Sequence, residues 1–254
     1  MSVLSERVQS GIDPVEAAIR RDLAACYRLV ALFGWDDMTA THISARLPGE
    51  GEVFLINPYG MFFEEITASS LIKINAEGDI LEPTSYPVNR AGFVIHSAIH
   101  MVRQDAGCVI HLHTRDGMAV SALQEGLLPL TQTAMVLMND ITYHEYEGVA
   151  LRLEERERLQ KDLGDKDLMI LRNHGTLAVG RTVREAFRRI SLLETACTAQ
   201  VAALSMGRPI HFSDPEVATM TAREYTPKQM ETSAERAWPG LIRKLDRVNP
   251  GYSD

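Results

Sequence analysis

Residues 107–113 read Gly-Cys-Val-Ile-His-Leu-His, an apolar, β-branched run opened by glycine. Such a run favours a strand. Alternate side chains of a strand share a face, so His111 and His113 stand on one side with Cα atoms roughly 6.6 Å apart. Two imidazoles so placed reach one divalent ion, and the same pattern also suits two half-buried, hydrogen-bonded histidines. A second apolar strand follows at Asp167–Arg172, then the turn Asn173-His174-Gly175 and a short strand at Thr176–Val179. His174 alone reads equally as a turn residue. With His111 and His113 it forms a three-histidine set of the kind that holds a catalytic divalent ion and leaves a coordination position open.

Working outward, helical periodicity covers Ala91–Gln104, Arg115–Leu123 and Leu153–Leu163. A further helix opens at Thr182, with Glu185 completing a capping box, and runs to about Met206 before Gly207. Upstream, Asp13-Pro14-x-Glu16 starts a helix that Gly34 ends. Short strand-like runs follow at His42–Leu47, Val53–Asn57 and Leu71–Ile74, separated by Gly/Pro/Asn turns. A weaker helical pattern spans Asp214–Arg247. The interleaving predicts one α/β domain over 13–212, a polar segment over 1–12 and a helical extension over 213–254.

The 254 residues carry a net charge of −8, with 45% hydrophobic and 24% charged side chains, the balance of an ordinary globular chain. No Lys/Arg block appears, which argues against nucleic-acid binding. No apolar stretch approaches the ~20 residues of a membrane span, and the N-terminus has no signal-like run. Cys26, Cys108 and Cys197 are isolated, so a reduced, cytoplasmic chain is expected. Neither GxGxxG nor GxxxxGK[ST] occurs. His96 and His100 lie four apart on a helix, but no glutamate sits between them as in HExxH, and apolar neighbours point to a buried helix. His211 has no partner visible in the sequence, and Ala134–Met138 reads as core or subunit interface.

From about Leu23 to Gly207 the sequence resembles the class II aldolase/adducin family. The resemblance is carried by LFGWDDMTATHISAR, INPYGMFFEEITASSLIKINAEGDI, VNRAGFVIHSAIH, CVIHLHT and MILRNHGTLAVG, in order and at fitting spacing. It implies a three-layer α/β/α fold around a mixed, mainly antiparallel sheet, and a homotetramer with active sites between subunits. It also implies one divalent metal per chain on His111, His113 and His174, zinc first and manganese, iron, nickel or cobalt as alternatives.

Three departures separate the chain from the family's sugar-phosphate members. Thr41-His42-Ile43-Ser44 replaces their GN-x-S, Tyr59-Gly60 replaces threonine-glycine, and Arg90-Ala91-Gly92 replaces Ser-Ser-Glu. The phosphate cradle and the acid/base carboxylate are therefore missing. What remains suits carbon–carbon cleavage through a metal-stabilised enolate, by retro-aldol or decarboxylation, with epimerisation third. Arg90 and Arg115 are candidates for a substrate carboxylate, against a salt bridge to Asp105 or Asp116. His42, Tyr59 and Gly60 are candidates for substrate contact, against simple filling of space. Tyr143 and His144 are candidates for a general acid reaching a neighbouring subunit's site; the catalytic group itself stays unassigned. The rival readings are a non-catalytic, adducin-like interaction scaffold and a sugar-phosphate aldolase with a rearranged phosphate site.

Overall fold

A computed structural model of the chain describes residues 12–49, 52–149 and 152–254. Helix α1 (Pro14–Leu32) begins where the Asp13 carboxylate accepts the Val15 N–H at 2.7 Å, with Pro14 at the first turn. Then come β1 (His42–Arg46), β2 (Val53–Ile56), β3 (Ile72–Asn75), α2 (Arg90–Val102), β4 (Cys108–Leu112), α3 (Arg115–Ser121) and α4 (Gln132–Met135). The chain continues through β5 (Ile141–His144), α5 (Glu155–Leu163), β6 (Leu168–Leu171), β7 (Gly175–Gly180), α6 (Val183–Ser205), α7 (Pro215–Glu224) and α8 (Pro227–Val248).

The strands form one seven-stranded sheet in the order β3-β2-β1-β4-β7-β6-β5. Its pairings are antiparallel except β5 with β6, whose parallel return runs through α5. Strand alternation sorts the two faces. Ile43, Ala45, Cys108, Ile110, Leu112, Leu168, Ile170 and Ala178 turn into the core under α1, α6 and α8. Val109, Met169, Leu171, Leu177 and Val179 turn to the opposite face, against Ile95 and Ile99 of α2 and Leu159 and Leu163 of α5. The architecture is thus three layers, α/β/α, as the resemblance implied. His42, Ser44, His111 and His113 belong by parity to the α2 face.

Several elements differ from the sequence reading. Ile141–His144 forms an edge strand and Gln132–Met135 a single helical turn, neither of which periodicity picks out. The tail is two helices, because Thr226 caps a new one: its hydroxyl accepts the Gln229 N–H and Pro227 takes the first turn. Met230, Trp238, Leu245 and Tyr252 of that tail join the α1/α6 core. Residues 1–11 of the expected N-terminal segment lie outside the described residues.

Candidate metal centre

Register builds the site. His42 on β1 pairs directly with His111 on β4, and Leu112 pairs with Thr176 on β7. This brings the β6–β7 turn, with His174, beside the end of β4. Asn173 takes φ 55 in that turn, a left-handed conformation asparagine tolerates better than most residues. The three rings then face one another, with centroids 4.7 Å apart for His111–His113, 4.7 Å for His111–His174 and 4.8 Å for His113–His174. One ligand nitrogen from each lies within 4.8 Å of the others.

The hydrogen bonds set which nitrogens face inward. His111 Nδ1 lies 3.0 Å from the Thr176 carbonyl and His113 Nδ1 lies 3.2 Å from the Asp37 carboxylate. Both partners only accept, so both Nδ1 atoms carry hydrogen, and in the neutral rings both Nε2 atoms are bare. Those two bare nitrogens lie 2.9 Å apart, a repulsive contact unless a cation draws both lone pairs. Burial and the neighbouring histidines hold His111 well below the usual imidazole range; the same causes bring His174 down to about 4. They are therefore neutral near pH 7, the form that ligates metal. The donor set fits a divalent ion, with the orienting carbonyl and carboxylate that metal-binding histidines use.

Behind the three histidines, Glu194 of α6 accepts from the hydroxyls of Thr114, next to His113, and Thr176, next to Gly175. It ties together the two strand ends that carry the histidines. Glu194 is 1% exposed, and burial raises its carboxyl from the ordinary 4.5 to about 7. Above 4.5 the unfolded chain loses this proton while the folded chain keeps it to about 7, so stability falls with rising pH across that window and then levels. Glu194→Gln is expected to flatten that fall, worth on the order of 3 kcal/mol, in urea titrations at pH 5 and pH 8. An unchanged pH slope would remove this role.

The other expected site residues divide. His42 is buried beside the triad, its ring centroid 5.3 Å from that of His111. A Cβ on Gly92 would lie 2.5 Å from His42 Cδ2, so the imidazole fills the space a side chain at the glutamate position would enter. Tyr59 and Gly60 stand on an exposed turn after β2, with no hydrogen bond or ring contact to the triad among the described residues. Arg90 heads α2, and its side chain lies outside the described ones. Arg115 points to solvent, 90% exposed, with its guanidinium on Asp116 at 3.0 Å rather than over the histidines. Tyr143 accepts the Leu127 N–H at 3.1 Å and stacks under Arg172, 4.2 Å from its ring centroid, so within this subunit it braces a loop. His144 is buried with Nδ1 2.8 Å from Asp162, at the back of a cleft shared with Tyr146, Glu155, Arg172 and His174. Asp37, Glu194 and Tyr146, whose ring centroid is 6.3 Å from His174's, escaped the sequence reading. Only Asp37 sat in a quoted motif, and nothing local distinguished it.

The family model for the class II aldolase and adducin N-terminal domain matches residues 21–201, and the chain belongs to that family. Over the whole of both chains it superposes on an aldolase II superfamily protein from Pseudomonas syringae, at 46% identity and a TM-score of 0.91. An L-fuculose 1-phosphate aldolase from Glaciozyma antarctica aligns over 98% of this chain and 99% of its own, at 26% identity and a TM-score of 0.81. Mouse alpha-adducin is 47% identical over 201 residues, 78% of this chain but 27% of the adducin. Among the described residues, no helix is long and apolar enough to cross a membrane.

Proposed function

We propose that this chain is a divalent-metal-dependent carbon–carbon lyase, of aldolase or decarboxylase type, acting on a small oxygenated substrate without a phosphate. The observation that carries the reading is the 2.9 Å approach of His111 Nε2 and His113 Nε2, each bare because its other nitrogen is committed, with His174 beside them. His111, His113 and His174 would hold the ion, zinc first. A bound divalent ion supplies a Lewis acid that polarises a carbonyl or hydroxyl oxygen. Thr176 and Asp37 fix the orientation of two ligands, and Glu194 holds the strand ends in place. The cleft wall at His144 and Tyr146 opens beside His174, which suits a homotetramer whose neighbouring subunit completes the site. The substrate is read as non-phosphorylated because His42 and Gly92 occupy positions that cradle phosphate and carry the carboxylate in sugar-phosphate members.

Elemental analysis of natively purified protein is expected to give close to one metal per chain. His113→Ala should weaken zinc binding by at least ~100-fold, since even losing an orienting partner costs 10–100-fold. A variant that still binds one equivalent tightly would overturn the ligand assignment. A second reading, a non-catalytic scaffold, draws on the 47% identity to alpha-adducin over 201 residues. Wild-type protein that neither carries nor takes up zinc or manganese would overturn the metal-dependent reading.

A further inference from the structure

Behind His42, away from the triad, lies a buried run of hydrogen bonds that no part of the proposed chemistry uses. His42 Nδ1 is 2.8 Å from His96 Nε2, and His96 Nδ1 is 2.6 Å from Ser44 Oγ. Ser44 Oγ is 2.8 Å from His100 Nε2, and His100 Nδ1 is 3.0 Å from the carbonyl oxygen of Ala106. His96 and His100 descend from one face of α2, four residues apart, onto the sheet face that carries His42 and Ser44. Each of the four side chains is buried. Phe54 stacks on the His100 ring at 4.5 Å, and the Arg46 guanidinium donates to the His100 carbonyl, which fixes the far end.

The direction of every bond follows from that end. A carbonyl only accepts, so His100 Nδ1 carries hydrogen and its Nε2 is bare. Ser44 has one hydroxyl hydrogen, and it must go to that bare nitrogen. Ser44 Oγ is then left to accept, so His96 carries hydrogen on Nδ1 and is bare on Nε2. His42 must therefore donate from Nδ1, which leaves its Nε2 without hydrogen. The opposite polarity would set a bare imidazole nitrogen against the Ala106 carbonyl oxygen at 3.0 Å, in a site with no water-facing escape. Adding a second proton to any ring is opposed by burial, which carries His42 and His96 well below the usual imidazole range and His100 down to about 3. A carbonyl cannot pass a proton onward, so the run is a lock and not a conduit.

We propose that His100, Ser44 and His96 are positioning residues that lock His42 as its Nδ1–H tautomer, leaving a bare Nε2 beside Gly92 as a hydrogen-bond acceptor for a substrate hydroxyl. A hypothetical Cβ on Gly92 would stand 2.9 Å from that Nε2, so the acceptor occupies the space left by the absent carboxylate side chain. An obligate acceptor recruits a hydroxyl donor and repels ionised carboxylate oxygens, which have no hydrogen to give. This selectivity rests on the lyase reading; the tautomer lock does not, so the two fail separately.

Long-range 1H–15N correlation spectra of the full-length, 15N-histidine-labelled protein at pH 7 read the tautomers directly, with His42→Gln, His96→Gln and His100→Gln spectra assigning the rings. All three rings are expected in the neutral Nδ1–H form. A His42 or His96 ring carrying hydrogen on Nε2 in the wild-type protein overturns the lock. Ser44→Ala should leave His100 as Nδ1–H while His96 and His42 shift towards Nε2–H, the form free histidine prefers; unchanged spectra would count against the relay. Acetate added to the zinc-loaded protein should leave the His42 pattern in place. A hydrogen appearing on His42 Nε2 under acetate would overturn the hydroxyl selectivity and leave the wild-type lock standing.

Discussion

Gly175→Ala is expected to cost about 3 kcal/mol or more of folding stability and to weaken metal uptake together with it. The added methyl would stand 2.2 Å from the Leu112 carbonyl oxygen and 3.2 Å from His113 Cδ2. The first neighbour is sheet backbone, so it cannot swing aside as a flexible side chain would. Relief requires β7 to draw away from β4 at Leu112–Thr176, the pairing that brings His174 to His113. Urea denaturation and a zinc-binding isotherm on the same preparation test both halves. A variant within 1 kcal/mol of wild type, with unchanged zinc affinity, would mean the turn adapts freely.

Arg189→Met should cost about 3–5 kcal/mol, the range for removing one partner from a buried ion pair. Arg189 is 5% exposed and reaches Asp167 at 2.7 Å, Glu185 at 3.1 Å and Asp140 at 3.9 Å. Asp167 keeps Arg103 at 2.7 Å, but Asp140 and Glu185 have no second cation within ion-pair distance among the described residues. Burial, with the Asp167 charge, already raises the Asp140 carboxyl to about 6. Removing the guanidinium pushes it higher still. A carboxyl whose folded pKa exceeds its unfolded one costs stability as pH rises, so the loss should be larger at pH 8 than at pH 5. Denaturation at the two pH values gives the comparison, and an equal loss at both would assign Arg189 a packing role only.

The part of the fold visible from sequence was the part written in local periodicity. Val109 alternates with Cys108, Ile110 and Leu112 between the two faces of β4, the alternation from which the sequence reading set His111 and His113 on one side. Ile141–His144 was missed because four residues carrying two polar side chains at a sheet edge have no pattern of their own. They become a strand through pairing with β6, a partner brought alongside by α5. The break between α7 and α8 had a local signal in Thr226-Pro227, which the surrounding helical pattern obscured. The candidate site divides along the same line. His111, His113 and His174 carry recognisable spacing, whereas Asp37 and Glu194 reach them through register and helix packing. Arg115, Tyr143 and His144 have suitable chemistry for a pocket, but within one subunit Asp116, the Leu127 N–H and Asp162 occupy them.

The division of labour between sheet and loops also bears on how such a chain diversifies. His111 and His113 are placed by β4 and His174 by the return into β7, whereas Tyr59 and Tyr146 belong to connections that no strand register constrains. Substitutions, insertions and deletions in those connections can remake the mouth of the cleft while the histidine floor persists, because the floor is inherited with the sheet. A lineage can therefore exchange one reactant for another, or abandon chemistry altogether, without first dismantling the triad. Enzymes and scaffold proteins can then descend from the same sheet.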